Sequence, residues 1–220
     1  MDTREKLLAA AARLFHEKGF TATSVAEILE RADVNSGSLY HFFSGKEELL
    51  RGVLERYHAL LPDELIAPAE ATTEDGVERV FALLALYRKG MEITGCRYGC
   101  PIGNLALETT DAYPNIRPLV EANFVQWIGH VERWLAAEGA RFPRGTDFHR
   151  LAQLVLTTME GGLMQTRARR SLAPFDESVA ALRHYLDLLM GKKGKGNAPS
   201  RTTHRRPSAP RRNSRSARGR

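Results

Sequence analysis

The chain has 220 residues, of which 43% are hydrophobic and 26% are charged, an ordinary mixture for a globular protein with a buried core. Its longest apolar run, residues 80–87, is far shorter than the roughly 18 residues that a membrane helix needs, and residues 1–5 show no signal peptide. The two cysteines, Cys96 and Cys100, cannot build a disulfide scaffold. We therefore expect a cytoplasmic protein with no membrane partner.

The formal net charge of +6 is unevenly distributed along the chain. Residues 191–220 contain eleven lysines and arginines and no acidic residue, which leaves 21 basic and 26 acidic side chains in residues 1–190. The basic segment also lacks any large apolar residue, so we predict a disordered tail over 191–220. Two roles remain open for it: non-specific contacts with DNA phosphates, or a dispensable solubilising extension.

Apolar residues at helical spacing predict helices through most of residues 3–190. The first is predicted over 3–18, where Gly19 closes it, and a shorter second one contains residues 25–32. A fourth contains residues 49–61 and stops at Pro62. Later helices are predicted over 73–92, 102–109, 115–137, 148–169 and 176–190. No segment alternates apolar and polar residues over the length of a strand, so the predicted fold class is all-α.

Two capping boxes are predicted, Ser-Val-Ala-Glu at 24–27 and Ser-Gly-Lys-Glu at 44–47. Between them the second helix ends, the chain turns within about three residues, and Asn35 or Ser36 caps a very short third helix. Apolar residues of this segment are predicted to pack inward, namely Val34, Leu39 and Phe42. The small and polar residues then point outward, namely Asn35, Ser36, Gly37, Ser38, Tyr40 and His41.

A short helix with a polar, uncharged outer face is typical of a DNA recognition helix. Its hydroxyl and amide groups can bond base edges and phosphates, and Gly37 lets the backbone approach the duplex. Lys46 adds a cation beside free amides at the start of the next helix, which suits a phosphate contact. The alternative is a helical hairpin whose polar residues only face water.

The pattern of residues 3–50 resembles the DNA-binding domain of the tetracycline-repressor (TetR) family. The residues that carry the resemblance are Leu14-Phe15, Gly19-Phe20, Thr23-Ser24-Val25, Ile28, Val34, the segment 37–43, Ser44 and Lys46-Glu47. The resemblance implies an N-terminal three-helix helix-turn-helix domain over 1–50. It further implies a C-terminal helical-bundle domain over 51–190 that binds a small-molecule effector and dimerises.

By position, the resemblance assigns DNA contacts to the second and third helices and to Lys46. The implied DNA-binding residues are Ser24, Val25, Ala26, Asn35, Ser36, Gly37, Ser38, Tyr40, His41 and Lys46. Tyr40 and Lys46 match the family's usual phosphate contacts. Asp33 stands where the family commonly has glycine, and residues 1–50 contain six basic and eight acidic side chains, so we expect weak electrostatic attraction to DNA from this domain.

Two later segments, residues 99–108 and 160–168, resemble the sensor domains of one TetR subgroup. The family resemblance implies a homodimer through about 148–170 and 176–190, with Leu151, Leu154, Val155, Thr158, Leu182, Leu186 and Leu189 as possible faces unless they belong to the core. Apolar residues with a few polar anchors suit an effector pocket. The candidates are Met91, Asn104, Phe124, Trp127, Met159 and Met164, each of which could instead be a core residue.

Catalytic, metal and cofactor motifs are not found, so we expect no enzyme activity, no metal and no cofactor. Cys96 and Cys100 form C-x₃-C, which leaves open a thiol switch or two buried inert thiols. The expected function is a dimeric repressor that binds a palindromic operator in double-stranded DNA and is released by an unidentified small molecule. The alternatives are a general DNA-binding protein that uses the basic tail and a helical ligand-binding module that does not read DNA.

Overall fold

The computed structural model describes residues 2–191, and the predicted basic tail from residue 192 onward lies outside the described residues. Within that range the chain is helical and contains no strand, which confirms the all-α prediction. The α-helices in chain order are α1 Thr3–Lys18, α2 Val25–Ala32, α3 Ser36–Phe42, α4 Lys46–Leu61, α5 Ala67–Glu70, α6 Gly76–Ile93, α7 Pro101–Thr109, α8 Arg117–Ala137, α9 Phe148–Arg169 and α10 Ala173–Leu189. None of these helices is long and apolar enough to cross a bilayer.

Helices α1 to α4 form an N-terminal head around a compact apolar cluster. Leu7, Phe15 and Ile28 are completely or almost completely buried there, together with Leu39 from α3 and Leu50 from α4. Burying such side chains contributes roughly 1.5–3 kcal/mol each to folding. This packing fixes the orientation of α3, which is too short to be stable alone.

One inward-facing residue of α3 was predicted incorrectly. Phe42 is 38% exposed, whereas Phe43 is only 3% exposed. Phe43 is the first residue beyond α3, and its extended backbone turns the ring toward α4. The ring lies against Gly52 of α4, where a Cβ would be 2.7 Å from the Leu8 side chain and 3.4 Å from the Phe43 ring.

The end of α4 agrees with the sequence prediction, whereas its start differs from it. The α-helix ends at Leu61 with Pro62 as its C-cap, but Pro62 keeps helical dihedral angles, and a wider π-helical turn, Pro62–Ile66, leads directly into α5. The Ala67 amide donates to the Pro62 carbonyl across this turn. At the other end Gly45 is the N-cap, and the Ser44 amide donates to the carboxylate of Glu48, so the second capping box does not form as predicted.

The remaining helices form the body, in which α8 packs against α4, α6 and α9, and α10 packs against α9. Its core is apolar and includes Val80, Leu84, Val131 and Leu135. Helix α7 lies between the head and the body and contacts both α1 and α8. Helix α7 therefore connects the head to the body, and the packing of α4 against α8 is a second connection.

Candidate DNA-binding surface and effector cavity

The turn between α2 and α3 is fixed by local hydrogen bonds. The predicted capping box at the start of α2 is present, with Ser24 and Glu27 each bonded to the backbone of the other. Asp33 ends α2 in the left-handed region at φ +53°, which is a region that asparagine and aspartate tolerate better than most residues. Asn35 then caps α3 and accepts a hydrogen bond from the Ser38 amide at 2.9 Å.

Most of the predicted DNA-binding residues share one exposed surface, defined here as the α3 surface. Its exposed members are Ser24, Ala26, Asn35, Ser36, Gly37, Tyr40 and His41, and its partly buried members are Val25, Ser38 and Lys46. Tyr40 is 61% exposed, and its hydroxyl has no hydrogen-bond partner within residues 2–191. The assignment of DNA contacts to these residues stays a prediction.

Lys46 has a structural role that the sequence did not predict. Its ammonium group donates to the carbonyls of Phe20 and Thr23, both at 2.9 Å, and lies 4.3 Å from the centre of the Phe20 ring. A lysine ammonium has three donors, so one remains for a phosphate. Lys46 therefore ties the α1–α2 turn to α4 in addition to its predicted role in DNA binding.

The same turn is also held by the body. The Glu108 carboxylate, on the last turn of α7, accepts hydrogen bonds from the amides of Phe20 at 2.8 Å and Thr21 at 2.6 Å. Just before the start of α7, the carbonyl oxygen of Gly99 lies 2.8 Å from His16 Nε2 of α1. Burial lowers the pKa of His16, so its imidazole is held in the neutral form. The head and body are thus joined through α7 by specific polar contacts.

A cavity of about 230 Å³ lies in the body beside the other end of α7. Helices α4, α6, α7, α8 and α9 and the π-helical turn after α4 contribute to it. The cavity is lined by Tyr57, Leu60, Leu61, Glu64, Leu65, Tyr87, Cys100, Pro101, Ile102, Asn123, Phe124, Trp127, Leu156, Met159 and Glu160. Its volume approaches the lower end of the range of about 300–1,000 Å³ for small-molecule sites.

Three of the six predicted effector residues line this cavity: Phe124, Trp127 and Met159. Asn104 and the 61% exposed Met164 instead line a neighbouring groove, and Met91 is buried in the body core. The long helices were predicted correctly, but periodicity does not tell which inward-facing residue meets a void and which meets another side chain. The assignment of effector contacts stays a prediction for all six.

Several polar residues of the cavity were missed. Tyr57, Tyr87 and Glu160 belong to helices whose apolar spacing suggested only core packing. The clearest signal was Glu160, an acidic residue one position from the buried Met159 and four from the buried Leu156. A charged residue at the margin of a buried stripe requires a partner or a ligand, and this requirement could have identified it.

Both cysteines are buried as free thiols. Cys100 is the N-cap of α7, a position that tends to lower a thiol pKa. Burial outweighs this effect and raises the pKa of Cys100 well above its ordinary value, and the carboxyl of Glu160 adds to the increase. The structure therefore favours the inert alternative for Cys100 over a reactive thiolate.

The predicted dimer helices present both buried and exposed residues. Leu151, Val155, Leu182 and Leu186 are buried within the chain and belong to the core. A groove between α9 and α10 is instead lined by Leu154, Thr157, Thr158, Gly161, Gly162, Gln165, Ser178, Ala181, Leu182 and Tyr185. Leu154, Tyr185 and Leu188 are large apolar side chains that remain exposed along these two helices.

The exposed short α3 behind a tight turn, together with a helical body that contains a cavity, defines a helix-turn-helix regulator with a ligand-binding domain. Comparison with family models agrees. Residues 7–53 match the bacterial regulatory proteins of the tetR family, and residues 76–181 match the C-terminal domain of LmrA/YxaF-like transcriptional regulators.

Relatives match over most of the chain. An uncharacterised HTH-type transcriptional regulator of Mycobacterium tuberculosis is 31% identical over 83% of this chain and 93% of its own length. The repressor NemR of Escherichia coli is 27% identical over 84% of this chain and 94% of its own length, and the crystal structure of its reduced form matches with a TM-score of 0.72. The chain belongs to the tetR family of transcriptional regulators.

One solved structure of similar fold contains DNA. The TetR family regulator CifR, as a cysteine mutant in complex with a 26-base-pair operator duplex, matches with a TM-score of 0.66 and 22% sequence identity. The match covers 81% of this chain and 94% of that one. At this level of identity the likeness extends to the fold alone.

Proposed function

We propose that this protein is a homodimeric repressor that binds a palindromic operator through α3 and dissociates from it when a small molecule enters the body cavity. The α3 surface carries the proposal, because its exposed hydroxyl, amide and imidazole groups have the size and polarity that a major groove accepts. Two copies would place their recognition helices about one helical turn of DNA apart, roughly 34–36 Å.

The dimer is proposed to form through about 148–170 and 176–190, as the family resemblance implies. The exposed apolar side chains Leu154, Tyr185 and Leu188 lie on these two helices and support this choice. A Leu154→Glu, Tyr185→Glu double variant is expected to sediment as a monomer in analytical ultracentrifugation. An unchanged dimer would contradict the assignment of this face.

Effector action is proposed to pass through α7. Cys100 and Ile102 at one end of α7 line the cavity, and Glu108 at the other end holds the α1–α2 turn of the head. An effector that fits only one position of α7 shifts the population toward it, by no more than its difference in affinity between the two states.

The proposal is tested by selecting DNA from a random pool with the full chain and sequencing the bound fraction. An inverted repeat is expected, and its absence together with equal binding to bulk DNA would favour the general DNA-binding alternative. Tyr40→Ala is then expected to weaken operator binding by about tenfold without changing the oligomeric state, since it removes a contact group. Ile93→Ala, at an exposed apolar site on α6 outside the α3 surface, is the control.

The role of the basic tail is tested separately, by deleting residues 191–220. If the tail contacts phosphates, the deletion weakens binding to every sequence and reduces the salt dependence of the affinity. Titrations at several salt concentrations measure this slope. An unchanged slope would leave the tail as a dispensable extension.

A further inference from the structure

The body cavity has an asymmetric charge composition. Two carboxyl side chains, Glu64 and Glu160, line it, while its lining includes no lysine, arginine or histidine. Glu64 is exposed at the margin, whereas the Oε1 atom of Glu160 is buried without a hydrogen-bond partner. A ligand in this cavity therefore meets negative or neutral polar groups and no positive one.

The Glu160 carboxyl lies at Gly103 of α7, between the cavity and the neighbouring groove. A Cβ on Gly103 would lie 2.2 Å from Oε2 of Glu160, so the carboxyl fits there because residue 103 has no side chain. The Cys100 thiol is a neighbour of the same carboxyl, and Glu160 forms no salt bridge within residues 2–191. Desolvation raises the pKa of Glu160. The free protein thus buries an acidic group without a cationic partner, which costs stability.

The rest of the lining is rich in aromatic rings. Tyr57, Tyr87, Phe124 and Trp127 all face the cavity, and Trp127 Nε1 donates to the Tyr87 hydroxyl at 3.1 Å. That hydrogen bond connects two of the rings and leaves the Tyr87 hydroxyl proton available for another acceptor. The faces of such rings attract cations, most strongly where water is excluded.

From these observations we infer that the cavity binds an apolar cation of the size of one aromatic ring, an amine or a quaternary ammonium, whose charge pairs with Glu160. The inference rests on the proposed effector-sensing role of the cavity and names the chemical class of the effector. A neutral ligand would leave the carboxyl without a charged partner, and an anion would meet two carboxyl groups. A cation supplies the missing partner of Glu160 and contacts the surrounding rings.

The first test compares three probes of similar size on the full chain by isothermal titration calorimetry: benzyltrimethylammonium, benzyl alcohol and benzoate. Benzyltrimethylammonium is expected to bind at least about tenfold more tightly than benzyl alcohol, the factor expected for one contact with a charged group. Benzoate is expected to bind weakest. Equal or tighter binding of either other probe, or no binding of the cation, overturns the inference.

The second test removes the charge of Glu160 with little change in shape. Glu160→Gln is expected to lower the affinity for benzyltrimethylammonium by about tenfold or more and to change that for benzyl alcohol by less than about threefold. Glu121→Gln is the matched control, because Glu121 is exposed on α8 and does not line the cavity. An unchanged cation affinity in a folded Glu160→Gln variant overturns the inference, and thermal unfolding checks that both variants fold.

Both titrations are made without DNA, so their result is independent of operator binding. A cation preference that depends on Glu160, together with release of a selected operator by benzyltrimethylammonium, supports the inference and the proposed function. If the chain selects an operator but shows no cation preference, only the inference fails. If it shows the cation preference but selects no operator, the proposed repressor function fails and the ligand class stands.

Discussion

Each end of α7 has a carboxyl group on it or beside it, and the two groups differ in their hydrogen bonds. At the C-terminal end, Glu108 accepts two backbone hydrogen bonds from the head. At the N-terminal end, Glu160 reaches over from α9 and keeps one buried oxygen unpaired. Burial raises the pKa of both carboxyl groups, yet at Glu108 the amides of Thr21 and Phe20 outweigh it and the net pKa is lowered, whereas the pKa of Glu160 stays raised.

This difference separates a structural contact from a binding site. A carboxylate whose acceptor positions are filled by backbone amides stabilises one arrangement of head and body. A buried carboxyl without a cation destabilises the free protein and is compensated only when a ligand supplies the partner. Because one helix of nine residues joins both groups, we expect a ligand at one end to affect the contact at the other.

The largest effect is expected from removal of the Glu108 carboxylate, which accepts two backbone hydrogen bonds. Glu108→Ala leaves the Phe20 and Thr21 amides without their acceptor, which should lower the free energy of unfolding by about 1–3 kcal/mol. Urea denaturation measures this change. Glu121→Ala, at an exposed position on α8, is the control and should change stability by less than about 0.5 kcal/mol. If Glu108→Ala lowered the free energy of unfolding no more than the control does, the contact between Glu108 and the α1–α2 turn would not stabilise the protein.

A smaller effect is expected where α7 accommodates Glu160. Gly103→Ala places a methyl group within 2.2 Å of Glu160 Oε2, so the carboxyl must move, at a cost of roughly 1 kcal/mol. Gly90→Ala is the matched control, because a Cβ there meets nothing within 4 Å and alanine favours the helix. Thermal unfolding of the two variants should therefore shift in opposite directions. Shifts in the same direction would contradict the close packing of Gly103 against Glu160.

Replacing Glu160 by an uncharged residue should increase the stability of the free protein. Glu160→Gln is expected to raise the free energy of unfolding by about 1 kcal/mol at neutral pH, since it removes a buried ionisable group. Because the pKa of Glu160 is raised in the folded state, the folded protein binds the carboxyl proton more tightly than the unfolded chain does. This proton contributes fully to the free energy of unfolding below the unfolded-state pKa, and the contribution is lost as pH rises through the folded-state pKa. The gain should therefore shrink in acid. A gain that is independent of pH would show that ionisation of Glu160 is not its cause.

The smallest effect is expected at His16, on the head side of the interface. His16→Gln keeps a group that can bond the Gly99 carbonyl, so at pH 8 we expect a change below about 0.5 kcal/mol. The lowered pKa of His16 means that the wild-type protein loses stability as pH falls below the ordinary histidine value of 6.5, whereas the variant lacks this loss. Denaturation at pH 8 and pH 5.5 measures the difference. Parallel behaviour of the two proteins would contradict a neutral, partly buried His16.

The sequence predicted features that depend on neighbouring residues and missed contacts between residues far apart in the chain. The bounds of α1 and α9 were predicted, and the cap of α3 was predicted at Asn35 or Ser36, because periodicity and capping depend on residues within one or two turns. Phe42 was predicted to pack inward, but the adjacent Phe43 is the buried ring, because its burial depends on packing against another helix, α4. The contacts of Lys46 were missed for the same reason, since they join residues more than twenty positions apart.

The sequence by itself determined an all-α fold class, the family resemblance and a short polar helix after the capped α2, because these features are set by local patterns of residue type. Only the tertiary structure decided that Glu108 fastens the head, that Lys46 supports the α1–α2 turn, and that Glu160 faces an aromatic cavity. Those contacts join separate helices, and the meeting of their faces depends on how all the helices pack together rather than on any local pattern.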